Sequence, residues 1–256
     1  NNYSSSSGCI AIDGVNNIIY YGTGEMHYFV YSYYGNGILK STDGGETWAH
    51  ITNGLPMTPC YFSKIVVRPG HENELLAACG TNYTNISNQS GLYRSTDYGE
   101  SWTKIVPSSG NLVCFDVAFS PNGDNAYIVG PNLSSTLDFF RGVQYRRSTD
   151  GGATFSSPLT NILDPEGASH ISVCKNDGYI YVITNCGDFC NKLYKSTDQG
   201  SSFSLVHNFN GAWDYQGWYN LLVSVSPYNS DIVFCGTNDL YRSTNGGLNF
   251  TDVAGY

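Results

Sequence analysis

Charge is what this sequence has least of: 13% of its 256 residues are Asp, Glu, Lys or Arg, against roughly one-quarter in an ordinary soluble domain. Only 12 residues are Lys or Arg against 21 Asp or Glu, a formal net charge of −9. Phosphate backbones are bound by clustered positive charge, so the scarcity of cations excludes nucleic acid as the expected partner. Long hydrophobic runs are missing too, and no stretch is apolar over the length that crosses a bilayer as a helix. The polar opening NNYSSSSG has neither the cationic nor the apolar part of a secretory leader, and a start at Asn rather than Met reads as a processed or trimmed end. Hydrophobic side chains make up 41%, enough for a sizeable core and too many for a disordered chain.

Repetition is what the chain has in its place. STDGGETW at 41–48 returns as STDYGESW at 95–102, STDGGATF at 148–155, STDQGSSF at 196–203 and STNGGLNF at 243–250. The starts lie 54, 53, 48 and 47 residues apart, and a short apolar or aromatic segment precedes each copy. A period near fifty residues with strand-like spacing indicates repeated β units. The second unit divides into four strands around 62–69, 74–80, 91–96 and 101–106, and the fifth around 221–227, 231–236, 239–244 and 249–253. Four-stranded units cannot bury both faces alone, so radial stacking into one all-β propeller is the expected fold. The unit boundaries fall near 1–54, 55–107, 108–159, 160–207 and 208–256, within a single domain.

The recurring acid has a structural explanation. Asp43, Asp97, Asp150, Asp198 and, in the fifth copy, Asn245 suit acceptors of backbone N–H bonds in a tight turn. Gly45, Gly99, Gly152, Gly200 and Gly247 suit a left-handed backbone, and Trp48, Trp102, Phe155, Phe203 and Phe250 suit the entry to the next strand. A reaction has little use for five acids framed alike.

The pattern S-x-D-x-G-x-[ST]-[WF] resembles the Asp box, or BNR repeat, of sialidase, xyloglucan-cleaving and sortilin-type propellers and of photosystem assembly factors. That resemblance implies an Asp-box β-propeller of five four-stranded blades, whole or as part of a larger ring, and spans several functions. Sialidases of this kind carry an arginine triad, but Arg94, Arg146, Arg147 and Arg242 here sit against the repeats, leaving only Arg68 and Arg141 elsewhere.

If the Asp boxes occupy turns between third and fourth strands, the ligand face is the opposite one, and its loops are rich in rings. Tyr28, Tyr31 and Tyr33 lie in the loop 22–37, and Trp213, Tyr215 and Trp218 lie in the last connection between units. Such rings stack on the apolar faces of sugars while amides and hydroxyls reach their edges. The leading expectation is therefore extracellular recognition of a carbohydrate or glycoprotein without catalysis. A glycoside hydrolase is the alternative, and a protein-assembly scaffold with a protein partner the second. Hydrolysis needs two spaced carboxyl groups, for which Glu25, Asp138, Asp164, Glu166, Asp188 and Asp214 are the candidates. Glu25 leads them because it follows Gly22-Thr23-Gly24 beside the aromatic loop.

Eight cysteines beside few lysines favour an oxidising, secreted setting, with Cys186 and Cys190 placed to close a small disulfide loop. Cys79 and Cys235 occupy equivalent positions in two units and read as separate buried thiols. Asn2, Asn82, Asn85, Asn88, Asn132 and Asn249 open N-x-[ST] sequences that permit glycosylation, with Asn249 expected to be hidden near a strand. The five histidines are scattered and complete no metal-ligand spacing with the cysteines, so neither metal nor cofactor is expected.

Overall fold

The structure, a computed structural model, describes residues 6–26, 33–56, 60–80, 90–106, 114–131, 143–158, 168–185, 191–209, 217 and 219–254. Every element among them is a strand, and the strands form five antiparallel sheets in chain order. Sheet 1 holds β1 (Ser7–Asp13), β2 (Ile18–Thr23), β3 (Ile38–Ser41) and β4 (Ala49–Ile51). Sheet 2 holds β5 (Tyr61–Arg68), β6 (His71–Gly80), β7 (Gly91–Ser95) and β8 (Thr103–Val106). Sheet 3 has three strands, β9 (Asp116–Phe119), β10 (Ala126–Pro131) and β11 (Val143–Ser148). Ser156 stands where its fourth strand belongs, its N–H donating to Arg147 O at 2.9 Å. Sheet 4 holds β12 (Ser169–Val173), β13 (Ile180–Asn185), β14 (Asn191–Ser196) and β15 (Ser204–Asn208). Sheet 5 holds β16 (Leu222–Val225), β17 (Val233–Gly236), β18 (Leu240–Ser243) and β19 (Thr251–Asp252).

Each repeated octapeptide forms the turn from the third strand to the fourth. In sheet 1, Ser41 Oγ donates to Asp43 Oδ1 at 2.8 Å, while the Thr47 N–H and hydroxyl donate to the two carboxylate oxygens at 2.9 and 2.5 Å. Asp97, Asp150 and Asp198 repeat the pattern, and Asn245 keeps it with an amide, accepting from Ser243 Oγ and the Asn249 N–H. Two successive residues take left-handed backbone, the second always glycine, from Gly99 at φ 78° to Gly45 at φ 98°. The first is glycine in three copies but Tyr98 and Gln199 in the others, at φ 59° and 58°. Trp48 and Trp102 close their turns by donating the indole N–H to Gly45 O and Gly99 O.

The sheets meet in sequence. β5 packs on β1 and β2, β9 on β5 and β6, β12 on β9 and β10, and β16 on β12 and β13. Four apolar cores result, one at each joint, with Tyr20 and Phe62 in the first, Leu76 and Val117 in the second, Tyr145 and Val182 in the third and Leu193 and Val233 in the fourth. Strand alternation supplies them, because a sheet covered on both sides needs apolar residues on both faces.

The cysteines belong to this packing. Cys9, Cys60, Cys79, Cys114, Cys174 and Cys235 are free thiols, all but Cys9 fully buried. Burial pushes Cys9 and Cys79 up to about 12 and raises Cys235 and Cys114 as well. The cysteine count therefore marks small hydrophobes rather than a disulfide framework among the described residues. Cys186 and Cys190 lie outside the described residues. Asn249 corrects another expectation, since it sits exposed on the fifth turn rather than hidden against a strand; Asn2, Asn82, Asn85, Asn88 and Asn132 lie outside the described residues.

Candidate functional site

First strands start, and second strands end, at the end of the sheets opposite the Asp-centred turns. All five repeat units contribute there to a cavity of about 170 Å³, lined by Ser7 and Gly8 of sheet 1, Met26 after it, Ser63, Phe115, Ala168 and His170, and Tyr219 and Leu221 ahead of sheet 5. The volume is below the roughly 300–1,000 Å³ of a typical small-molecule pocket, so the cavity is the floor of a site rather than a whole one. Glycine at position 8 is required by contact: a Cβ there would stand 1.8 Å from Phe62 O and 2.4 Å from Gly24 O.

Beneath the cavity a chain of polar side chains ties three inner strands. Lys64, Asp116 and His170 occupy the same register position on β5, β9 and β12, opposite Ala78, Val129 and Ile183. Asp116 Oδ1 lies 3.9 Å from Lys64 Nζ, and Oδ2 lies 3.3 Å from His170 Nδ1 and accepts the Ile171 N–H at 3.1 Å. Burial alone raises the Asp116 pKa, but Lys64, His170 and the Ile171 N–H outweigh it and hold the carboxyl below its ordinary range. Asp116 is thus a fixed anion that orients the imidazole of His170, a partly exposed group lining the cavity. Such an oriented imidazole can exchange a proton or hydrogen bond a hydroxyl.

Glu25 immediately precedes Met26 of the cavity lining. β2 ends at Thr23, Gly24 turns the chain at φ 94°, and the Glu25 N–H donates to Tyr33 O at 2.8 Å. This bond holds the carboxyl-bearing residue next to Met26, which lines the cavity. Tyr33 is 71% exposed and Tyr219 43%, so both present rings to solvent near this end. Tyr28, Tyr31, Trp213, Tyr215, Trp218, Asp138, Asp164, Glu166, Asp188 and Asp214 lie outside the described residues. No cluster of three metal-ligating side chains occurs among the described residues.

The sequence marks neither Asp116 nor, among five scattered histidines, His170. Only the strand pairing brings Lys64, Asp116 and His170 into one column.

The sheets and the opening at their shared end define a multi-sheet all-β protein. No family model matches the chain. It is 26% identical over 255 residues to a xyloglucanase of Paenibacillus sp., the match covering 84% of this chain and 23% of that protein. The xyloglucanase Xgh74A of Acetivibrio thermocellus is 27% identical over 261 residues, again 84% of this chain, and 28% of its own. The chain thus spans about a quarter of the length of these curated relatives. Among solved structures, an ancestral GH74 enzyme matches 98% of the chain with 31% of its own, at a TM-score of 0.67 and 18% identity. YCF48 from Cyanidioschyzon merolae matches 95% of the chain at a TM-score of 0.56 and 15% identity, with 70% of its own length. The fold is shared with both kinds of protein.

Proposed function

We propose that the chain is an Asp-box propeller segment that acts on polysaccharide as a glycoside hydrolase, with xyloglucan-type branched glucans as substrate. The observation that carries this reading is the sequence similarity to xyloglucanases along most of the chain. Recognition of glycan is the part of the activity that the aromatic loops supply, and hydrolysis is added by carboxyl groups at the same end. Residence outside the cell, where such polymers are met, belongs to the same proposal.

Glycosidic cleavage proceeds through an oxocarbenium-like transition state between two carboxyl groups, one donating a proton to the leaving oxygen and the other acting as base or nucleophile. Glu25 is assigned as one of the two, because its N–H is bonded to the carbonyl of an exposed tyrosine, Tyr33, and it adjoins Met26 of the cavity lining. Its partner is drawn from Asp138, Asp164, Glu166, Asp188 and Asp214. A separation near 5–5.5 Å gives retention and roughly 6.5–9.5 Å inversion of the anomeric centre. Tyr28, Tyr31, Tyr33, Trp213, Tyr215 and Trp218 are assigned to stacking on sugar rings.

Release of reducing ends from a panel of plant polysaccharides tests the proposal. Xyloglucan should be cut, and Glu25→Gln should abolish cleavage while leaving binding and the circular dichroism spectrum unchanged. Binding with no cleavage by the unaltered chain returns the function to recognition alone. Neither binding nor cleavage on any polymer removes both readings.

A further inference from the structure

The fifth Asp-centred turn differs from the other four at two positions that act on each other. In sheets 1 to 4 a hydroxyl four residues after the acid closes the turn: Thr47 donates to Asp43 Oδ2 at 2.5 Å, Ser101 to Asp97 Oδ2 at 2.5 Å, Thr154 to Asp150 Oδ2 at 2.5 Å and Ser202 to Asp198 Oδ2 at 2.6 Å. In sheet 5 the acid is replaced by Asn245 and the hydroxyl residue by Asn249. Asn245 Oδ1 accepts from Ser243 Oγ at 2.9 Å and from the Asn249 N–H at 3.0 Å. The second oxygen of the other turns is here an amide nitrogen, which donates and does not accept. The Asn249 backbone thus keeps its place in the turn while its side chain is released, exposed and without a hydrogen bond among the described residues.

The released amide heads Asn249-Phe250-Thr251, an N-x-[ST] acceptor sequence. Phe250 turns inward, its ring 5.0 Å from that of His207 and 4.9 Å from that of Phe209. Strand alternation then sends its two neighbours outward together, and Asn249 and Thr251 are both exposed. This exposure belongs to the turn and not to the position of sheet 5 in the chain. Thr154 and Ser202 hold the same place in sheets 3 and 4, each packed against a sheet on both sides, and both are exposed as well. The turn lies at the end of the sheets opposite the cavity, so a bulky group on it leaves the candidate site clear.

We propose that Asn249 is a site of N-linked glycosylation, modified by an oligosaccharide carried on a polyprenyl pyrophosphate. The side-chain nitrogen of Asn249 forms a bond to the anomeric carbon of the first sugar and gives up one proton. The bond from that carbon to the pyrophosphate oxygen breaks, and the polyprenyl pyrophosphate leaves with the electron pair. The inference rests on the residence outside the cell proposed above and not on hydrolysis.

The test is to secrete the 256-residue chain from a eukaryotic host behind a heterologous leader and to trim N-linked glycans with an endoglycosidase to one N-acetylhexosamine. Trypsin cuts after Arg242, and the peptide that starts at Ser243 holds Asn249 as its only acceptor sequence. Mass spectrometry of that peptide is expected to find the sugar on Asn249. Thr251→Ala should remove it and Thr251→Ser retain it, both with melting temperatures within about 2 °C of the parent. An unmodified peptide from the secreted, folded chain overturns the proposal, whichever other acceptor asparagines are occupied, and so does a sugar that survives Thr251→Ala. Release of reducing ends from xyloglucan by the same preparations reads the hydrolase proposal separately.

Discussion

Ile65 and Ile10 occupy the same register position on the first strands of neighbouring sheets, and truncating each separates burial from residue type. Ile65 is 2% exposed within the core between sheets 1 and 2, while Ile10 is 62% exposed. Ile65→Ala removes buried methyl and methylene groups and leaves a cavity that the surrounding strands fill only partly, a loss of about 3 kcal/mol within the roughly 2–5 kcal/mol range for such changes. For a chain of this length that corresponds to a fall in melting temperature of about 6–12 °C. Ile10→Ala removes groups that face water and should cost less than about 0.5 kcal/mol. The assay is thermal unfolding followed by circular dichroism. Equal losses for the two variants would refute the difference in burial between the two positions, and a negligible loss for Ile65→Ala would refute the joint between sheets 1 and 2.

Gly200→Ala meets both the left-handed φ of 78° and the Tyr145 hydroxyl 2.0 Å from the new Cβ, so it should cost clearly more than Gly45→Ala, which bears only backbone strain of about 1–2 kcal/mol; paired denaturant titrations compare them. Hydrogen bonds from Thr47, Thr154 and Ser202 hold Asp43, Asp150 and Asp198 at about 2, against partial burial in the case of Asp150. Because these folded values lie below the ordinary carboxylate range, their stabilisation is present above about pH 4 and is lost as pH falls toward 2. Tryptophan fluorescence should show acid unfolding in that window, shifting to higher pH in Asp150→Ala; a midpoint unmoved by the substitution would count against the turn's contribution. The six described thiols should resist labelling by a thiol reagent at neutral pH until the chain unfolds, as read by peptide mass spectrometry.

The turns are the part of the fold most open to sequence reading, because their bonds run between residues two to four apart. Serine, acid and glycine at fixed spacing carry that geometry without reference to the rest of the chain. Even so, Tyr98 and Gln199 adopt left-handed backbone that their residue types do not advertise, held by the side-chain bonds around them. The expected strands of the second and fifth units fall within a few residues of those observed, since period-two alternation and turn residues mark both ends.

Contacts between sheets were hidden because they join residues some fifty positions apart. The hydroxyl of Tyr20 donates to Tyr98 O, and Asp116 bonds the Ile171 N–H, yet neither pairing leaves a local pattern. Cysteine misled for a related reason: composition weighs thiols by compartment, whereas Cys60 and Cys79 are placed by the space between sheets. Within the candidate site, the strand exit at Gly24 was legible, while the Lys64–Asp116–His170 column became visible only through the pairing register.

The account stands or falls on whether this end of the molecule handles glucan. Isothermal titration of the chain with a xyloglucan oligosaccharide measures that directly. Saturable heat is expected, reduced by Tyr33→Ala with the fold intact; an absence of heat at millimolar oligosaccharide, from a chain that remains folded by circular dichroism, would contradict it.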